Sequence, residues 1–248
     1  MVKYTYFIIL MIFFLLVSFQ KDSMAGPPFF TDDPEPVEYK HGEAYVASMF
    51  ISDKDGRAGT LPHFEFNYGV WPDLQAHIIA PFVFTRPNGM PTSYGYGDTE
   101  LGLKYRFVQE TKWQPQIGTF PLLELPTGDT KYGLGNGKAQ VFIPIFAQKS
   151  WGPWTTYGGG GYWFNPGEGN KNWTFLGWLL QRDFSEKLTL GAEIFYRTPD
   201  KVDEEYGIGL NAGGFLNFTS KDHLLFSAGT DLHGPRRATI YIAYLRTF

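Results

Sequence analysis

The chain has 248 residues, 43% of them hydrophobic and 18% aromatic, with 29 glycines and 17 prolines. That composition is too apolar and too aromatic for a disordered protein, and a net charge of −4 argues against nucleic acid as a partner. With no cysteine the chain has neither disulfides nor thiolate metal sites, so hydrogen bonding and burial must hold the fold.

The chain opens with Lys3, an apolar run from Phe7 to Phe19, and the small-x-small site Ser23-Met24-Ala25. This predicts a secretory signal over residues 1–25, cleaved after Ala25. A retained membrane helix would need roughly 20 apolar residues, and Gln20, Lys21 and Asp22 break the run. Cleavage leaves a mature charge of about −5. Past residue 25 no apolar stretch reaches helical spanning length, so any membrane crossing falls to strands.

Residues 26–42, "GPPFFTDDPEPVEYKHG", form a polar, Pro-rich lead. After it, residues 43–248 carry about twelve segments of β character, each of roughly 9 to 12 residues, the length of a tilted transmembrane strand. They fall near 43–51, 61–70, 74–84, 98–108, 115–126, 139–149, 154–164, 173–183, 188–197, 207–218, 223–231 and 238–248. "DTELGLKYRFV" shows the pattern most clearly, with Asp98, Glu100, Lys104 and Arg106 on one beat and Leu101, Leu103, Tyr105 and Phe107 on the other. The segment at 173–183 alternates least.

Alternation alone fits a soluble sandwich as well as a membrane barrel. Four further features favour the barrel: the export signal, the strand length, the rhythm of the connections and the aromatic turns. The connections run roughly 9, 3, 13, 6, 12, 4, 8, 4, 9, 4 and 6 residues, so long loops alternate with short turns. Trp71, Trp113 and Trp151 all fall at short turns on one side, where aromatic rings anchor at a membrane interface. The expectation is an all-β, up-and-down antiparallel transmembrane β-barrel of about 12 strands in the cell outer membrane of a Gram-negative-type envelope, both termini periplasmic. Closure satisfies the backbone hydrogen bonds that hydrocarbon cannot.

The last strand, "ATIYIAYLRTF", ends on Phe248 with Tyr244, Ile242 and Ile240 on the same beat. It resembles the terminal strand by which outer-membrane barrels are recognised by the barrel-assembly machinery, although Arg246 departs from that pattern. The whole mature chain resembles the family of outer-membrane transporters linked to the MetA pathway of phenol degradation. The resemblance rests on "PPFFTDDPEPVEYKHGEAYVAS", "GYGDTELGLKYRFV" and "PLLELPTGDTKYGLGNGKAQVFIPIFAQKSWGPWTTYGGGG". It implies a porin-like barrel for small organic solutes and brings no catalytic motif.

The polar beat supplies lumen-lining candidates: Glu65, His77, Asp98, Glu100, Lys104, Arg106, Glu124, Glu193 and Arg197. They serve either as an internal network that stiffens the wall or as a polar path that filters solutes. Asp98, Glu100 and Glu124 sit toward the outer end and would disfavour anions there. The lead is either a loose tail or a plug, its Asp32, Asp33 and Glu35 meeting Lys104 and Arg106. Pro121 and Pro144 fall nearly level inside neighbouring strands, where a missing N–H marks a bulge or an opening in the wall.

Other chemistries fare badly. His63 and His77 lie about 13 Å apart along the first polar hairpin and cannot share a metal ion. The glycines of "YGGGGYW" and "GLGNG" lack the strand-turn-helix context of a phosphate loop. No histidine has a serine two residues away, the spacing lipid-hydrolysing barrels of this size use, so no enzyme and no cofactor is expected. The expectation is a passive channel for small solutes, including small aromatic or hydrophobic molecules, with outer-membrane lipid as its surroundings; the alternative is a structural or ligand-binding barrel without transport.

Overall fold

The computed structural model describes residues 28–248, so the expected signal over 1–25 lies outside the described residues. Twelve antiparallel strands close into a barrel. They are β1 (Gly42–Ser52), β2 (Gly56–Trp71), β3 (Leu74–Pro87), β4 in two pieces (Ser93–Tyr96 and Thr99–Val108), and β5 in two pieces (Gln116–Thr119 and Leu122–Leu125). Then follow β6 (Gln140–Trp151), β7 (Trp154–Phe164), β8 (Trp173–Ser185), β9 (Leu188–Arg197), β10 (Gly207–Asn217), β11 (Asp222–His233) and β12 (Ala238–Thr247).

Each strand pairs with its neighbour in sequence, and β12 returns to β1 from Glu43↔Thr247 to Ser52↔Ala238. Gly42 and Phe248 exchange backbone hydrogen bonds of 2.8 and 2.9 Å at the end of that seam. Both pieces of β4 pair with β3, through Phe82↔Tyr96 and Ile79↔Glu100, so the break at Gly97 and Asp98 does not open the ring. The break in β5 falls at Phe120 and Pro121, where proline has no N–H to give the ladder.

Two expected loops are shorter than the sequence suggests. Only 53–55 separate β1 from β2, and only 88–92 separate β3 from β4, because β2 and β3 run on past the apolar alternation. The cause is a bulge: the register jumps between Thr60 and His63, which shifts the beat and ends the periodic reading at residue 61. The long outer loop "TRPNGMPTSYGYG" accordingly contains strand structure of its own. The segment at 173–183, weakest in the sequence, is paired along its length to both β7 and β9.

The tight turns after β2, β6 and β8 share one end of the barrel with Tyr39 of the lead, which bridges Gly69. Gly152 takes the positive φ that the two-residue turn between Trp151 and Trp154 requires. Trp71, Trp113 and Trp151 stand exposed at this end, by 65%, 85% and 49%. The exterior between the two ends is apolar, with Phe64, Phe66, Ile143, Ile145, Ile240 and Ile242 all pointing out.

Candidate functional site

The lead occupies the lumen. From Tyr39, 6.2 Å from Trp71 at the turn end, it climbs to the middle of the barrel, bonded to the wall as it goes. The Val37 amide donates to Gln75 Oε1 at 2.8 Å. Glu35 Oε2 accepts from Gln116 Nε2 at 3.0 Å and Gln148 Nε2 at 2.8 Å, while Glu35 Oε1 lies 3.7 Å from Arg106. Lys104 Nζ sits 2.8 Å from Asp32 and 3.5 Å from Asp33, over the face of Phe120 at 4.9 Å. Glu193 accepts the amides of Phe30 and Thr31 at 2.8 and 2.7 Å, and the Pro28 carbonyl accepts the Ser227 hydroxyl.

Pro34 and Pro36 explain why this segment lies against the wall by side-chain contacts without joining the sheet: neither can donate to a ladder. Thr31 crosses β8 at Gly177, and any Cβ there would collide with the threonine hydroxyl. Around Phe29 the turn-end half of the lumen is filled by Tyr45, Tyr157, Leu179, Leu225, Tyr241 and Leu245, three of which have no exposed surface at all. This half is a packed core.

The sequence-predicted lumen residues separate into groups. Glu65, His77 and Glu100 form one chain: Asn67 donates to Glu65 at 2.9 Å, His77 Nδ1 meets Asn67 Oδ1 at 2.6 Å, and His77 Nε2 meets Glu100 at 2.9 Å. Glu124 stands directly across from Glu100 in the β4–β5 ladder. Arg106 also forks onto Asp73 at 3.0 and 2.7 Å, fixing the β2–β3 turn. Arg197 pairs with Asp231 on β11, apart from the others.

Asp98 has a different task. Its carboxylate accepts the Gly128 amide at 2.8 Å and the Asn136 amide at 2.6 Å, pinning the loop 126–139 to the break in β4. Asn136 in turn bonds Asn170 and the Pro166 carbonyl, and Asn165 reaches the Asp200 carbonyl, so the outer loops are tied in series. Replacing Asp98 with Ala should speed hydrogen exchange at Gly128 and Asn136 by about 10- to 100-fold, since bonds to a charged acceptor are worth about 1.5–3 kcal/mol. The melting temperature of the barrel should hardly move.

Above the tip of the lead the wall is aromatic on one side. Phe142 stacks on Trp163 at 4.8 Å, Trp163 on Trp173 at 5.6 Å, and Phe175 on Phe195 at 6.3 Å, while Phe30 meets Phe195 edge-on at 5.0 Å. Sequence reasoning missed this ladder because β6 to β8 carry apolar residues on both beats, and period 2 does not say which beat faces inward. The signal that was available is the density of Trp and Phe at the loop ends of these strands. The ladder begins beside the Glu100–Glu124 pair, since Phe142 on β6 pairs with Leu122 on β5, two residues from Glu124.

At Pro121 and Pro144 the β5–β6 ladder stops after Gly118↔Phe146 and resumes at Leu122↔Phe142. Thr119 Oγ1 donates to the Pro144 carbonyl at 2.6 Å, and the buried Phe120 ring fills the interior behind the gap. His63 bonds Thr60 while His77 bonds Asn67 and Glu100, and among the described residues no group of three potential ligands could hold a metal.

No family model matches the chain, and no curated protein matches it. Solved structures do. The outer-membrane channel COG4313 from Pseudomonas putida F1 superposes with a TM-score of 0.73 at 15% identity, covering 91% of this chain and 100% of the other. The KdgM porin gives 0.57 at 10% identity over 82% and 99%. The translocator domain of the autotransporter NalP from Neisseria meningitidis gives 0.53 at 10% identity over 84% and 88%. The shared property is the twelve-stranded antiparallel barrel.

Proposed function

We propose that the protein is an outer-membrane channel for small solutes, closed on its periplasmic side by its own lead and open outward into an aromatic-walled vestibule. The observation that carries this reading is the contrast between the two halves of the lumen. A barrel serving only as a scaffold gains most by packing its whole interior, whereas here full burial around Phe29 gives way, beyond Phe30, to Trp163, Trp173, Glu100 and Glu124, all half-buried, with the rings and the carboxylates on neighbouring strands. The exterior apolar belt and the tryptophans at one end support membrane insertion with the termini periplasmic. The solute class that fits the vestibule is a small aromatic molecule bearing a polar group, in keeping with the resemblance to transporters of the phenol-degradation MetA pathway.

The test is swelling of liposomes containing the mature chain from Gly26, beside a form truncated before Gly42, in a size series of sugars and in phenol. Faster, size-limited swelling in the truncated form is expected. No swelling in either form would favour the alternative, a ligand-binding barrel without transport, which the packed lower half supports. Replacing Trp163 with Ala removes the ring that stacks on both neighbours. It should lower phenol permeation through the truncated form about threefold to tenfold, at about 0.5–1.5 kcal/mol per aromatic contact, and leave sugar permeation unchanged.

A further inference from the structure

The outer surface spanning β12 and β1 to β4 carries a groove of about 440 Å³ that the channel reading does not use. Its floor is formed by Phe50 on β1 and Phe84 on β3, which flank Gly59 in the ladder and meet over it with their rings 5.7 Å apart. Tyr94 forms one wall, held by its hydroxyl on the Leu61 carbonyl at 2.8 Å. At the loop end of the groove Arg57 and Arg86 stand directly opposite each other in the β2–β3 ladder, both exposed and both pointing away from the lumen.

Two like charges set across a ladder repel unless an opposite charge lies between them. None does: among the described residues neither arginine has a carboxylate within ion-pair distance. Asp53 in the adjoining turn spends its carboxylate on the amides of Asp55 and Gly56. The depth is also informative. Along β2, Arg57 stands about 30–35 Å above Trp71 for a strand rise of about 3.3 Å and a tilt of about 40°. The apolar band of such barrels is only about 25 Å tall, so the pair sits at headgroup level with the groove reaching down into the acyl region.

We propose that this groove holds one phosphorylated, acylated glycolipid of the outer leaflet, its acyl chain lying along the outer faces of Phe50, Phe84 and Tyr94, and its phosphate between Arg57 and Arg86. Two forked guanidinium groups meet phosphate oxygens with paired hydrogen bonds. A soluble anion would have no use for the aromatic groove beneath. The inference rests on the membrane reading above but on none of the lumen residues.

The test uses the refolded mature chain in detergent, with lipid retention counted by native mass spectrometry. The ligands are a phosphorylated outer-leaflet glycolipid and the same lipid after phosphatase treatment, with inorganic phosphate as competitor. One retained lipid per barrel is expected, bound at least tenfold more tightly than its dephosphorylated form. The pair R57Q and R86Q should reduce retention to the dephosphorylated level while keeping native heat-modifiable mobility, since neither arginine holds another part of the chain. Equal retention by the double variant would overturn the proposal, as would displacement of the lipid by inorganic phosphate at equal concentration. A chain that fails to enter bilayers at all would instead overturn the membrane reading, and liposome flotation separates that failure from the first.

Discussion

Replacing Lys104 with Met should release the lead from the lumen and raise single-channel conductance in the full mature chain. Lys104 is 1% exposed and is the cation that both Asp32 and Asp33 face. Breaking a buried ion pair by removing one partner typically costs about 3–5 kcal/mol, because the carboxylates stay behind without compensation. The lead has a cheaper response than the wall does: it can leave for water, where its acids are solvated. A shift of that size moves the docked-to-free ratio by about 100-fold or more. Planar-bilayer recording would show it, and adding D32N and D33N to the same chain should restore closure, since the neutral side chains no longer need the cation. If K104M conducts no better than the native chain while remaining folded, the ion pairs do not hold the lead.

Gly177→Val tests the same closure by shape alone. A side chain there would point into the lumen from β8, where its Cβ would first meet the Thr31 side chain and the edge of the Phe175 ring. A β-branched residue suits a strand, so the wall should tolerate it. The lead cannot, and once Thr31 moves, Glu193 loses the two amides it accepts. Each buried donor left without a partner costs about 1–3 kcal/mol. Conductance should therefore rise in the full chain and stay unchanged in the form truncated before Gly42, where there is no lead to displace. An effect of equal size in both forms would mean that the substitution deforms the wall. Combining it with K104M should add little, since both act on one contact network.

The wall was legible because a half-buried strand writes its faces on alternate residues, and the strand count followed. Where the bulge at Leu61 and Pro62 shifts the beat, the reading lost the first part of β2 and with it the facing arginines Arg57 and Arg86. The acids of the lead and the bases on β4 could be paired from sequence because opposite charges in a narrow lumen must find one another. Glu193 was legible only as a lumen acid. Its role as an acceptor of backbone amides depends on the path of the lead, which no periodicity records. The aromatic ladder went unread for a related reason: in β6 to β8 hydrophobicity no longer separates inside from outside, since the interior there is itself apolar.

The seam between β1 and β12 bears on the order of assembly. It joins stretches about 200 residues apart, whereas the other wall contacts join sequence neighbours. Hairpins close fast and distant pairings close slowly, so the ring is the last thing made. Until then the molecule is a curled, open sheet, and the lead can be laid sideways onto its inner face without threading a finished hole. Its acids meet Lys104 and Arg106 within the β1–β5 half of the chain, and its tip meets Glu193 and Ser227 in the other half. Lying across both halves, the lead is placed to bridge them before the seam closes.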